Sequence, residues 1–176
     1  MKHRLLFFVL IVLFTCSAKA QKTNFSIGPE INIPSGNSSN ISSIGVGGYL
    51  KGEFPVANKF SLTASATLNT FYGKKVLQYQ APNLSYLPVK AGLKYYPADE
   101  FYLEGQAGAS FAIKNDYNTN FIWSLGLGTF LKAGENNKID IGLRYESQKN
   151  SAQYYLQTNK SNASFGYIGL RVGYVF

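Results

Sequence analysis

Eight times between Phe25 and Phe176 the chain alternates apolar with polar or small side chains, and each run is long enough to exclude most folds. Successive side chains of a strand point to opposite faces, so a period of two marks a β-strand with two different surroundings. In the first run Phe25, Ile27, Ile31 and Ile33 share one face, while Ser26, Gly28, Glu30 and Asn32 share the other. The third places Phe60, Leu62, Ala64, Ala66, Leu68 and Tyr72 opposite Ser61, Thr63, Ser65, Thr67 and Asn69. The last places Ile168, Leu170, Val172, Tyr174 and Phe176 opposite Tyr167, Gly169, Arg171 and Gly173. Runs beginning at Ile44, Leu87, Phe101, Phe121 and Ile139 repeat the pattern. Each approaches the roughly 9 to 11 residues that a tilted strand needs to cross a bilayer, against about 5 or 6 in a soluble strand. No long helical period appears, so the chain is all-β.

The opening stretch, MKHRLLFFVLIVLFTCSAKAQ, has a different character. Lys2 and Arg4 precede a short apolar run from Leu5 to Phe14, and Ala18-Lys19-Ala20 supplies the small-x-small pattern at which a signal peptidase cuts. Residues 1–20 are therefore expected to be a cleavable signal peptide, and residues 21–176 one exported domain, a length that suits a single domain. Leu13-Phe14-Thr15-Cys16 is a poor lipoprotein box, because Phe14 and Thr15 stand where small residues belong. Cys16 and His3 are the chain's single cysteine and histidine, so the exported part has no thiol or imidazole for metals or nucleophilic chemistry. Loss of Lys2, Arg4 and Lys19 takes the 17 basic residues to 14; against 9 acids, the net charge falls from +8 to +5.

The connections alternate in length. PVAN (55–58), PADE (97–100) and AGENNK (133–138) are short; PSGNSSNISS (34–43), residues 73–85 and residues 149–164 are longer, and KNDYNTN (114–120) is intermediate. Short turns at one end and long loops at the other are the plan of an outer-membrane barrel, with the short turns and both termini in the periplasm. A lipocalin-like soluble barrel is also two-faced but keeps its apolar face inside. Strand length, loop asymmetry and aromatics at both ends of the apolar face favour the membrane form. Tyr72, Phe111, Phe121, Trp123 and Tyr145 would ring one interface, and Phe25, Phe54, Phe60, Tyr95, Phe101, Tyr174 and Phe176 the other. The expected fold is an eight-stranded antiparallel up-and-down transmembrane β-barrel, its eighth strand closing on the first because an open edge in hydrocarbon leaves backbone groups unsatisfied.

The alternating end, Leu170, Val172, Tyr174 and Phe176 in GYVF, resembles the carboxy-terminal signal read by the outer-membrane assembly machinery. With the AKAQ signal end and the eight runs, the chain resembles the OmpA/OmpX-type eight-stranded barrels. More narrowly, it is similar to the porin-family or PorT-like outer-membrane β-barrel domain proteins of Bacteroidota. The resemblance covers residues 22–176 and implies localisation in a Gram-negative outer membrane; it carries no catalytic signature and no pore at eight strands.

On the inward face Glu30, Glu53, Glu104, Asp140 and Glu146 meet Lys51, Lys90, Lys94, Arg144 and Arg171, five acids against five bases. A balanced set suits a buried ion-pair network that stabilises the barrel, with Arg144 and Arg171 as its centres beside Glu146, Glu104 and Glu30. Eight strands enclose only enough space for side chains. The inward glycines make room for long Lys, Arg and Tyr side chains rather than a phosphate loop, since GLGTFL (126–131) lacks the third glycine of a dinucleotide site. DYNTN (116–120) starts like a calcium loop, but Phe121 and Leu127 stand where its glycine and glutamate belong. No catalytic residue, cofactor or metal site is expected.

In the long loops Lys74, Lys75, Lys114, Lys149 and Lys160 face only Asp116, a net +4. With Tyr79, Tyr117, Tyr154 and Tyr155, that basic rim suits lipopolysaccharide phosphates or acidic polymers as well as simple solvation. The expected partners are outer-membrane lipid, lipopolysaccharide and the assembly machinery, with no nucleic acid and a monomeric barrel. The leading reading is a non-enzymatic structural or surface-interaction role. The alternatives are an accessory of protein secretion, a lipid-modifying barrel enzyme, which usually needs a Ser/His pair, and a small channel.

Overall fold

The computed structural model describes residues 23–40, 42–76, 79–113, 119–134, 137–149 and 164–176. The signal segment with His3 and Cys16, the loop residues Lys114, Asp116, Tyr117, Tyr154, Tyr155 and Lys160, and the Tyr79 side chain lie outside it. Ten strands follow in chain order: β1 (Asn24–Ser35), β2 (Ser42–Ala57), β3 (Phe60–Gly73), β4 (Lys75–Val76), β5 (Tyr79–Gln80), β6 (Leu84–Tyr95), β7 (Phe101–Ala112), β8 (Thr119–Lys132), β9 (Lys138–Lys149) and β10 (Ser164–Val175). Eight of them close into a barrel in the order β1-β10-β9-β8-β7-β6-β3-β2, while β4 and β5 form a separate two-stranded hairpin.

Every barrel pairing is antiparallel, and the register fixes the geometry. Stepping between partners from Gln148 through Ile122, Gly108, Lys90, Ser65, Lys51, Ser26 and Val175 returns to β9 at Lys138, ten residues from the start. With strands about 4.8 Å apart and about 3.3 Å per residue, eight strands and a shear of ten give a tilt of about 40° and a backbone radius of about 8 Å. A 12-residue strand at that tilt rises about 30 Å, enough to cross the roughly 25 Å apolar band of an outer-membrane barrel.

The alternation resolves as apolar side chains outside and polar ones inside. Ile27, Leu50, Leu62, Leu125, Leu143 and Leu170 are exposed on the outer wall, whereas Glu30, Lys51, Thr63, Ser124, Arg144 and Arg171 are buried. Aromatics pair on both rims: Trp123 with Tyr145 at 5.7 Å on the long-loop side, Phe60 with Tyr95 at 5.0 Å and Tyr174 with Phe176 at 6.1 Å on the short-turn side.

Strands reach further into the connections than composition suggests. β2 continues through Pro55 to Ala57 with a register shift, leaving a two-residue turn, Asn58-Lys59. In the first long connection Pro34, Ser35, Ser42 and Ser43 belong to strands, and Gly36–Asn40 forms a 3-10 turn. Ser38 accepts the Gly166 N–H at 2.9 Å, which ties this turn to β10.

The seam closes at the rim with reciprocal bonds between Phe25 and Phe176, at 3.3 and 3.0 Å. That pair sets the parity: hydrogen-bonded partners recur every two residues, so Pro29 stands opposite Val172 where a donor is due. Proline has none, and the β1–β10 ladder is interrupted at Gly28 and Pro29 before resuming at Glu30. The backbones run close there: a Cβ on Gly28 would meet the Val172 carbonyl oxygen at 1.9 Å, so only glycine fits.

Candidate functional site: the charged interior and the loop-side rim

All ten inward charges assigned from the sequence are buried, and they fall into two groups that are each neutral. The group nearer the short turns joins Lys51, Lys94 and Arg171 to Asp140, Glu53 and Glu104. Lys51 Nζ donates to Asp140 at 2.7 Å, Lys94 Nζ to Glu53 at 2.6 Å, and Arg171 Nη2 to Glu104. Tyr102 donates to the second Asp140 oxygen at 2.5 Å, and Tyr96 to the second Glu53 oxygen. The group nearer the long loops joins Lys90 and Arg144 to Glu30 and Glu146. Arg144 Nη2 lies 2.6 Å from the Glu30 carboxylate and its Nε 3.3 Å from Glu146, which also accepts from Lys90 and Tyr167.

Partners come from distant strands because the shear offsets their levels. Arg171 on β10 reaches Glu104 on β7, and Lys51 on β2 reaches Asp140 on β9. The tyrosines and arginines cross the lumen over glycine positions. A Cβ on Gly173 would lie 1.9 Å from the Tyr49 hydroxyl, and one on Gly128 would lie 2.3 Å from that of Tyr102. Tyr49 in turn lies under the Arg171 guanidinium at 5.2 Å.

A buried ring cluster stands toward each end of the charged interior, most of it unassigned from the sequence. On the long-loop side Phe71, Tyr86, Phe165 and Tyr167 form one buried cluster, with Phe71 4.9 Å from both Phe165 and Tyr167. On the short-turn side Tyr102, Phe130 and Val175 form another, with Tyr96 against it. The Lys94 ammonium sits 4.1 Å from the Tyr102 ring centre and 5.0 Å from that of Phe130, so this cap also holds a charge by cation–π contact. The signal for these rings was strand parity: Phe71 precedes the outward Tyr72, and Phe130 follows Gly128 by two.

Of the five rim lysines, Lys74, Lys75 and Lys149 are exposed at the long-loop end. Lys74 Nζ donates to the Ser39 carbonyl at 2.7 Å, so it is oriented by the 3-10 turn. Among the described residues, no group of three or more His, Cys, Asp or Glu could hold a metal ion. Tyr174 and Phe176 of the terminal alternating set lie on the outer wall at the short-turn rim, with Leu170 and Val172 further along the same face.

No curated protein matches the chain. Several solved barrels share its fold. Ail of Yersinia pestis is 17% identical, with 88% of this chain and 97% of that one covered and a TM-score of 0.55. Neisserial surface protein A is 13% identical, covering 87% and 94%, with a TM-score of 0.57. OprG from Pseudomonas aeruginosa is 13% identical, covering 88% and 95%, with a TM-score of 0.55. At such identities these likenesses speak for architecture. Residues 6–176 match the family model described as outer membrane protein beta-barrel domain; the chain belongs to that family and is an outer-membrane β-barrel.

Proposed function

We propose that the protein is a non-enzymatic barrel whose role lies at its loop-side surface. The observation that carries this reading is the filled interior: among the described residues two neutral ion-pair groups occupy the lumen between two aromatic clusters, and the hollow of about 190 Å³ beside Glu53, Tyr96 and Lys138 lies at the short-turn mouth. Residues 21–176 also contain no histidine or cysteine to activate a nucleophile. In this reading residues 1–20 are removed on export, the short turns and both termini face the periplasm, and Leu170, Val172, Tyr174 and Phe176 present the assembly signal. The barrel acts as a monomer in lipid, stabilised by the ten interior charges.

Its working face is the basic rim, where Lys74, Lys75 and Lys149 with Lys114 and Lys160 meet the phosphates of lipopolysaccharide or another polyanion. A structure of Ail holds the heparin analogue sucrose octasulfate, which makes that compound a convenient polyanionic probe. Barrels in phosphatidylcholine nanodiscs are expected to bind sucrose octasulfate in low salt, and the Lys74→Gln/Lys75→Gln/Lys149→Gln variant to bind it at least fivefold more weakly. Equal binding by both would refute the rim as the working face. The narrower resemblance to PorT-like proteins of Bacteroidota favours a second reading, an accessory of secretion, which predicts loss of secreted cargo when the gene is deleted.

A further inference from the structure

We propose that the outer wall over β1, β2, β3 and β6 holds one acyl chain of a phospholipid from the leaflet on the short-turn side. Two adjoining hollows of about 510 and 350 Å³ lie on this wall and share Leu50 and Ala66. They exist because outward positions that carry Leu125, Leu127, Leu143 and Tyr145 on β8 and β9 are here Gly48, Gly52, Ala64 and Ala66. Cross-strand register brings the small residues together: Gly52 faces Ala64, which faces Ala91, and Ala66 sits between Leu50 and Val89.

The hollows follow the strands from Phe25 and Phe176 at the short-turn rim toward Leu68 and Leu87. Gly52 to Gly48 and Ala64 to Leu68 are each four residues, about 13 Å of strand, which at the tilt of about 40° is about 10 Å of depth and most of the hydrocarbon of one leaflet. The occupant must be linear and apolar, because the trough lies inside the band of exposed apolar side chains that contacts the membrane. Beyond its lower end the exposed Lys59, in the β2–β3 turn on the same strand line as Ala64, stands at headgroup depth and suits a lipid phosphate. A second copy fits poorly, because a two-fold contact would oppose hollow to hollow and fill neither. A chain packed in the trough restores the dispersion contacts that the missing side chains forgo. The identity of the leaflet, though not the site, rests on the orientation proposed above, which protease treatment of intact cells tests separately.

The test is native mass spectrometry of barrels extracted from phosphatidylethanolamine-rich membranes, with detergent raised until loosely held lipid is stripped. Wild type, and a control filled elsewhere by Ala107→Leu/Ala109→Leu, are expected to retain one phospholipid per barrel. The Ala64→Leu/Ala66→Leu variant is expected to lose occupancy at least tenfold while keeping its heat-shifted gel mobility. Should that variant fail to fold, Ala66→Leu alone is read the same way. Equal retention by the filled variant, no retained lipid on wild type, lipopolysaccharide as the retained lipid, or a dimer would each overturn the proposal.

Discussion

At the scale of single residues, the interior charges are the side chains with most at stake. Arg171 is buried and donates to Glu104 while stacking over Tyr49, so removing it strands a buried carboxylate. Breaking a buried pair from one side costs about 3–5 kcal/mol, whereas replacing both partners by apolar groups of similar volume is often close to neutral. Arg171→Ala is therefore expected to lower the urea midpoint of refolded barrels strongly, and Arg171→Met/Glu104→Met to recover most of the loss. Gly173 gives a complementary case. Gly173→Ala drives a methyl against the Tyr49 hydroxyl, an overpacking worth about 1–3 kcal/mol, and Tyr49→Phe in the same chain should restore part of it in the same titration. No restoration would mean that some other contact at Gly173 sets the cost.

Among the elements, the β1–β10 seam is the ladder with a missing rung. Pro29→Val supplies the N–H that the Val172 carbonyl lacks and should raise stability by about 1 kcal/mol, with the gain appearing mainly as slower unfolding in urea. Gly28→Val should prevent closure and abolish the heat-shifted band, since no rotamer relieves a Cβ placed 1.9 Å from a backbone oxygen. The strands themselves were legible in the sequence because two solvents, lipid and polar interior, enforce a period of two over their whole length. So was the inward side of Glu30, Lys51 and the other eight charges. Which acid meets which base was not, because partners such as Arg171 and Glu104 lie three strands apart and are matched by the shear, which no local pattern encodes. The turn bounds were also hidden: Pro55 reads as a breaker, yet it continues β2 through a register shift.

For the whole molecule, a backbone cylinder of about 8 Å radius has room for one layer of inward side chains, and this chain fills it with ten charges that pair across the lumen, while Arg144 Nη1, Arg171 Nη1 and the Tyr49 hydroxyl are buried without a hydrogen-bond partner among the described residues. Neutrality within each ion-pair group means that the described interior carries no net charge to select an ion, and a ring cluster stands toward each end. On the proposed reading, function lies in what the barrel displays: its loops, its basic rim and its lipid-facing wall. The most direct test is conductance across planar bilayers of residues 21–176, with insertion verified by heat-shifted mobility of the same sample. Silence at all applied voltages is predicted; discrete, reproducible current steps would contradict the sealed interior on which this account rests.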